Sequence, residues 1–171
     1  MLRYLLSFLL IIAVHGLVAQ STAELDSRNG FKDIRLGTRA DSVKGARLRK
    51  EFTIRDNVYP SQTYVVDHPD YASIGDVKVR SVELGAYRNL IETITLITEK
   101  DPRLMRALEN LFGAATYDAR NNRYFWRGES IILTYQSHAK KDLLLEYRSL
   151  LIPHMMSEDR RGKIDKIADD F

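Results

Sequence analysis

The sequence predicts an α+β fold in which an antiparallel sheet carries two short helices packed on one face. Apolar residues recur at every second position in 52–99 and again in 124–150, as expected for strands with one buried face. Between these regions, residues 102–112 carry apolar side chains at helical spacing. The order helix, strands, helix, strands also suggests a degenerate tandem repeat of about 70 residues.

Composition limits the class of protein. The chain has 171 residues, of which 44% are hydrophobic and 29% charged, and this balance excludes a disordered or collagen-like chain. It contains no cysteine. Disulfides, thiolate metal sites, a cysteine nucleophile and lipid attachment through an N-terminal cysteine are therefore excluded.

Residues 1–20 have the layout of a secretory signal peptide, with Arg3 ahead of an apolar stretch and small residues behind it. The apolar run is shorter than the roughly 20 residues that a spanning helix needs, and a retained membrane anchor is the alternative. We expect cleavage after Ala19, Gln20 or Ala23. The mature chain is then expected in the periplasm or outside the cell, without an integral membrane span.

The charge balance is nearly even. There are 26 basic and 23 acidic residues, for a formal net charge of +3. Removal of residues 1–20 takes away only Arg3 and leaves a net charge of +2. So small an excess gives no field of a single sign, and we expect no nucleic-acid partner.

The first part of the mature chain is predicted to hold little regular structure. Residues 21–30 are polar and are predicted to be a flexible lead-in. A single domain is predicted over 31–152, beginning at Phe31 and continuing into a first short helix over 39–50. Gly45 makes this a poor isolated helix, so tertiary packing would have to stabilise it.

The middle of the chain is predicted to form β-strands. Residues 64–66 form a short strand candidate. Residues 77–87 and 91–98 alternate between apolar and polar side chains, and Arg88 and Asn89 between them can form a two-residue turn. We predict an antiparallel hairpin.

The strongest helix signal follows this hairpin. Asp101 can cap the helix, Pro102 occupies its first position, and Gly113 can end it. The apolar positions share a single stripe: Leu104, Leu108, Leu111 and Phe112. A helix with one apolar stripe is expected to lie on a sheet.

The predicted domain ends with strands at 124–127, 130–136 and 143–150. Alternating positions should face the helix: Trp126, Ile131, Leu133, Tyr135, Leu143, Leu145 and Tyr147. Residues 153–171 are rich in charge and are predicted to be a charged C-terminal tail or a short helix.

Residues with catalytic or metal-binding chemistry do not form a persuasive pattern. Ser130 follows a glycine by two positions but lacks the second glycine of a nucleophile elbow, which favours a hairpin turn. Asp67, His68, Asp70 and Asp76 could offer ligands to calcium, yet their spacing differs from the calcium loop and matches a turn. We therefore expect no catalytic residue, metal or cofactor.

The remaining candidates are binding residues. The positions that alternate with the predicted core should face outward and form a contact surface for another protein: Phe125, Arg127, Thr134, Gln136, Glu146 and Arg148. An ordinary solvated sheet face is the alternative interpretation of these residues. The aromatic and basic run at 120–127 could also be a stacking platform for a glycan, although Trp126 is expected in the core.

Two short motifs carry a family resemblance. Residues 31–38, Phe-Lys-Asp-Ile-Arg-Leu-Gly-Thr, and residues 111–114, Leu-Phe-Gly-Ala, resemble segments of small exported proteins of Gram-negative envelopes. A similar start occurs in the small lipoprotein of the outer-membrane β-barrel assembly machinery and in β-lactamase inhibitor protein. This chain lacks the cysteine of the lipoprotein and the disulfides of the inhibitor, and no proline follows Gly113.

The resemblance implies a layered α+β domain that binds other proteins and performs no reaction. We therefore expect an exported, non-enzymatic interaction module with an envelope protein as its partner. The alternatives are a small-ligand or glycan binder, or an envelope hydrolase in which His68 or His138 would meet carboxylates in a cleft.

Overall fold

The computed structural model describes residues 23–55 and 57–168. The predicted signal peptide, residues 1–20, lies outside this described part. The helices are α1 (23–28), α2 (Pro102–Phe112) and α3 (Leu151–Ala168). The strands are β1 (Gly30–Phe31), β2 (Ile34–Arg35), β3 (Ala46–Phe52), β4 (Ser61–Val66), β5 (Ser73–Ile74), β6 (Val77–Tyr87), β7 (Leu90–Glu99), β8 (Thr116–Asp118), β9 (Arg123–Arg127), β10 (Ile131–Ala139) and β11 (Asp142–Ser149).

One long antiparallel sheet organises the domain, and it confirms the predicted α+β class. The strand order is β3-β4-β6-β7-β11-β10-β9-β8, with β5 added beside β6. Each half of the chain thus forms a meander, and the two meanders join through their last strands, β7 and β11. Leu96 lies opposite Leu145 at this junction, and Ile94 lies opposite Tyr147.

The β6–β7 hairpin forms as predicted. Arg88 and Asn89 take φ values of 54° and 62°, the left-handed pair that a type I′ turn requires. The pairing register shifts between Gly85 and Ala86, so a bulge lies close to this turn. Because of the bulge, Glu92 has no directly opposed residue in the ladder.

Helix α2 is also confirmed, together with both of its ends. The Asp101 carboxylate accepts a hydrogen bond from the Arg103 amide at 2.8 Å, and Gly113 follows the last turn with φ 81°. Trp126 donates from Nε1 to the Gly113 carbonyl at 2.8 Å. The Phe112 ring packs edge-on against Trp126, with 6.4 Å between ring centroids.

The core lies between α2 and one face of the sheet. Residues in register across six strands are buried on this inner face: Tyr64, Leu84, Ile94, Tyr147, Leu133 and Trp126. From α2, Leu104, Leu108 and Phe112 are buried against it. The predicted burial of Trp126 is therefore confirmed.

The predicted first helix over 39–50 is wrong. Only Ala40–Ser42 form a single 3₁₀ turn, and Ala46–Phe52 form β3 at the edge of the sheet. Gly45 has φ +73°, and a Cβ placed there would lie 2.3 Å from the Asp67 carbonyl oxygen. The chain turns sharply at Gly45, and ladder hydrogen bonds to β4 replace the weak local helix preference.

The lead-in predicted to be flexible, residues 21–30, is also different in the structure. Residues 23–28 are helical, and Leu25 is only 1% exposed within the core. The Asp26 carboxylate accepts hydrogen bonds from the Glu129 amide, the Ser130 amide and the Ser130 hydroxyl at 2.6–2.8 Å. The fold therefore begins before the predicted boundary at Phe31.

The C-terminal segment adopts the helical alternative over Leu151–Ala168. The Ser149 hydroxyl accepts hydrogen bonds from the Leu151 and Ile152 amides, and Pro153 fits the first turn, where an amide donor is not needed. The Tyr87 hydroxyl donates to Asp159 at 2.9 Å, which attaches the middle of α3 to the β6–β7 turn. Among the described helices, none is long and apolar enough to cross a membrane.

A test of the turn before β3 is substitution of Gly45 by alanine. We expect a loss of about 2 kcal/mol in the free energy of unfolding, because the new Cβ meets the Asp67 carbonyl and φ is left-handed. Gly162→Ala in α3 is the matched control, since a Cβ there meets nothing within 4 Å. Urea unfolding of both variants measures the effect. Equal stability of the two variants would contradict the assigned turn.

A second test concerns Asp26. Burial pushes the pKa of this carboxyl upward, but hydrogen bonds from Ser130 and Glu129 outweigh it and hold the pKa below its ordinary value. The stabilisation by ionised Asp26 is thus complete above the unfolded-state pKa and is lost as pH falls through the lower folded-state pKa. Asp26→Ala should cost about 1–3 kcal/mol at pH 7, since two backbone amides lose their acceptor.

Urea unfolding from pH 7 to pH 2 measures this difference. The difference in the free energy of unfolding between the natural chain and Asp26→Ala should become smaller below pH 4. Protonation of Asp26 in the natural chain removes the same interaction that the substitution removes. A difference in unfolding free energy that stays constant from pH 7 to pH 2 would show that the Asp26 charge contributes nothing to stability.

Candidate functional site

The strand register brings the predicted binding residues together on the face opposite α2. Thr134 lies opposite both Phe125 and Glu146 in the neighbouring strands. Arg127 and Arg148 flank Ile132 in the same way. These residues alternate with buried inner-face residues, so their side chains leave the sheet on its other side. We call the following set the outer patch: Phe125, Arg127, Ile132, Thr134, Gln136, Leu144, Glu146 and Arg148.

Ile132 and Leu144 were not among the predicted site residues. Both are half-buried in the outer patch, and Leu144 is paired with Ile97 of β7, which is also half-buried. The signal for them was present as two uninterrupted apolar runs, at 131–133 and 143–145. Such runs place apolar side chains on both faces of a strand.

Thr134 contributes little contact surface. It lies on the outer face, but its exposure is only 7%, between Phe125 and Glu146 in the adjacent strands. Gln136 and Phe125 are half-buried, whereas Arg127 and Arg148 are exposed. A partner would thus meet the two arginines, the aliphatic side chains and the Phe125 ring before Thr134.

Arg127 supplies the uncompensated charge of the outer patch. Arg148 pairs with Glu146 at 2.8 Å, and the neighbouring Arg123 pairs with Asp118 at 3.0 Å. No carboxylate within the described residues pairs with Arg127. Among the described residues, the patch therefore combines an apolar centre with one positive charge that no carboxylate pairs.

Glu92 borders the outer patch at the bulge of β7. Burial raises the pKa of its carboxyl, Arg148 lowers it, and Glu146 raises it. Loss of the Arg148 charge would therefore leave Glu92 and Glu146 facing each other without a cation. A substitution at Arg148 is therefore expected to change stability, so Arg127 is the cleaner position for testing the surface.

A tyrosine ladder lies at the β8 end of the inner face, and sequence reasoning missed it. Tyr117 is paired with Tyr124, and Tyr124 with Tyr135, with ring centroids 4.9 and 6.3 Å apart. Tyr117 and Tyr124 are 51% and 38% exposed, and Tyr135, expected in the core, is half-buried. The cross-strand register, which the sequence does not state, aligns these rings.

The acidic loop residues considered as metal ligands each meet a cation instead. Asp67 pairs with Arg47 at 3.3 Å. Asp70 pairs with Lys44 at 3.4 Å, and Asp76 pairs with Arg103 at 3.1 Å. Across the described ranges, no group of three or more histidine, aspartate or glutamate side chains is placed to hold a metal ion.

His68 and Ser130 have structural partners. His68 Nδ1 accepts a hydrogen bond from the Asp70 amide at 3.3 Å, which caps the short 3₁₀ turn Pro69–Tyr71. Ser130 donates its hydroxyl proton to Asp26 at the β9–β10 turn. Both contacts explain these residues as turn chemistry, while His138 is exposed near the end of β10.

The chain matches no protein-family model, no curated protein and no solved structure. Function is therefore inferred from the outer patch and the other surfaces of the domain.

A test of the charge arrangement beside the outer patch is Glu92→Gln. A raised folded-state pKa means that the protonated carboxyl is favoured in the fold, so its stabilising effect is present below the unfolded-state pKa and is lost as pH rises. At pH 7, the Glu92→Gln variant should therefore unfold at a higher urea concentration than the natural chain. This difference in urea midpoint should disappear below pH 4. Glu83→Gln, whose carboxylate pairs with Arg49 at 2.7 Å, is the control and should not stabilise.

Proposed function

We propose that this protein is an exported, non-enzymatic interaction module that binds another envelope protein through the outer patch. The observation that supports it most directly is the arrangement of half-buried aliphatic side chains, an aromatic ring and two exposed arginines on adjacent strands. Arginine and aromatic residues around an apolar centre are typical of binding hot spots.

The chemistry of the outer patch defines the partner. An apolar partner surface would bind favourably to Ile132, Leu144 and Phe125, because contact removes these apolar side chains from water. A carboxylate beside that surface would pair with Arg127, because the Arg127 charge has no partner within the described residues. The proposed partner is therefore a protein with an apolar segment flanked by at least one acidic side chain.

Export is part of the proposal and rests on the pattern in residues 1–20. A basic start, an apolar stretch and a small-residue exit are typical of a cleaved signal peptide. Mass spectrometry of the protein from the envelope fraction of its native host would give the N-terminus directly. A chain that still begins at Met1 would contradict cleavage.

The tyrosine ladder favours glycan binding as a second candidate function. Exposed aromatic rings in a row can stack on sugar rings, and Asn122 and Arg123 lie beside them with polar groups. Tyr117→Ser combined with Tyr124→Ser should abolish retention on an envelope glycan under this alternative. The same variant should leave a contact through the outer patch unchanged.

Photo-crosslinking locates the proposed protein contact. A photoreactive residue placed at Gln136 in the native host should capture one partner, and the same residue at Arg106 on the exposed face of α2 should not. Equal capture from both positions would contradict the assigned surface. The captured protein is then purified and used for binding measurements.

Charge reversal tests the same surface in solution. Arg127→Glu should weaken binding to the purified partner by about tenfold or more, because a second negative charge then faces the partner carboxylate. Arg148→Glu should act in the same direction, with urea unfolding as its check because Glu92 and Glu146 lie beside it. Arg106→Glu is the matched control, and the outer patch is excluded if it weakens binding as much as Arg127→Glu.

A further inference from the structure

A separate apolar cavity lies on the other side of the sheet. It is bounded by α2, the β1–β2 hairpin and the turn before β6, and its volume is about 300 Å³. Most of its lining is apolar: Phe31, Ile74, Leu104, Leu108, Phe112 and Leu145. This volume lies at the lower end of the range for small-molecule sites, about 300–1,000 Å³.

The lining of the cavity also includes one hydroxyl group, that of Tyr147. This residue is only 7% exposed, and no hydrogen bond to its hydroxyl is found among the described residues. Burial raises the pKa of this hydroxyl to about 12, with a smaller opposing effect of Arg28. The group therefore stays protonated at neutral pH. A protonated hydroxyl that reaches the cavity can donate a hydrogen bond to an acceptor placed there.

Two cations line the same cavity, Arg28 from α1 and Lys32 from the β1–β2 hairpin. Arg28 is paired with Glu24 at 2.6 Å. Lys32 donates to the backbone carbonyl of Asp70, and no described carboxylate pairs with it. The cavity therefore carries a net positive charge beside its apolar lining.

Part of the apolar lining of the cavity lies at the protein surface. Leu111 of α2 lines it and is 42% exposed, although its side chain is apolar. Ala107, one turn earlier, also lines it and is exposed. The apolar lining of the cavity is therefore partly open to solvent at these two residues.

We propose that this cavity binds a small single-chain amphiphile, with its alkyl chain against the apolar lining and its carboxylate near Lys32, Arg28 and the Tyr147 hydroxyl. The cations supply charge complementarity, and Tyr147 supplies a directional donor. This site is separate from the outer patch and does not depend on the proposed protein contact.

The probe for the experiment is decanoate, used below the concentration at which it aggregates. Trp126 is the only tryptophan of the chain and contacts Phe112, which lines the cavity, so its fluorescence reports on occupancy. The protein is purified from its native host with its natural N-terminus. We expect saturable binding of one decanoate per chain, and at least tenfold weaker binding of decyltrimethylammonium, which carries the opposite charge.

Variants separate this site from non-specific adsorption. Lys32→Gln and Tyr147→Phe should each weaken decanoate binding at least fivefold, whereas Lys50→Gln on the edge strand β3 should not change it. Arg127→Glu should also leave it unchanged, which distinguishes this site from the outer patch. Calorimetry repeats the titration independently of fluorescence, and urea unfolding confirms that each variant is folded.

A competition experiment with vesicles distinguishes two sources of the carboxylate ligand, free in solution or within a membrane. If free carboxylates are the ligand, decanoate bound to the protein is not displaced by vesicles of phosphatidylglycerol. If the protein takes acyl chains from a membrane, the vesicles compete with decanoate. The proposal is overturned if decanoate does not bind, if decyltrimethylammonium binds equally well, or if Lys32→Gln and Tyr147→Phe bind it like the natural chain.

Discussion

The pairing of β7 with β11 is the interaction on which the rest of the structure depends. It joins the two meanders, so that the inner face becomes one continuous apolar surface from Tyr64 to Trp126. Without it, each meander would be a small sheet with an unpaired apolar strand at its edge. The same pairing places Leu144 beside Ile97 on the outer face and Leu145 beside the cavity. Both proposed surfaces thus share one central strand.

Helix α1 links the start of the described chain to distant parts of the fold. Leu25 fills the core, Asp26 holds the β9–β10 turn, and Arg28 reaches the cavity. Gly128 permits this arrangement, since a Cβ there would lie 2.5 Å from the Asp26 carboxylate.

Local patterns predicted the elements whose signals are local. Asp101, Pro102 and Gly113 mark the ends of α2 through interactions within a few residues, and Arg88 with Asn89 encode the hairpin turn in two positions. The predictions that failed concern segments whose structure depends on contacts with distant parts of the chain. Helical spacing over 39–50 could not compete with the open edge of β4, which becomes available only after the sheet forms.

Long-range contacts also explain what was missed at the candidate sites. Asp26 and Ser130 are far apart in sequence, so nothing near residue 26 indicates that this segment is fixed. The tyrosine ladder and the cavity depend on register and on the docking of a hairpin against α2. By contrast, the outer patch could be assembled from alternation within three strands, because one face of a strand is defined by its own sequence.

Both edges of the sheet are protected against the addition of another strand. Strand β3 exposes a basic run, Arg47, Arg49 and Lys50, and β8 at the other edge has only three residues. Charged and short edge strands oppose the addition of another strand. The apolar runs of β10 and β11 already supply the inner core, so their outward aliphatic side chains are not needed for that core. Exposed apolar side chains also lie at the edges, at Leu48, Phe52 and Tyr117. Charge and short strand length, and not a lack of apolar surface, therefore protect these edges against strand addition.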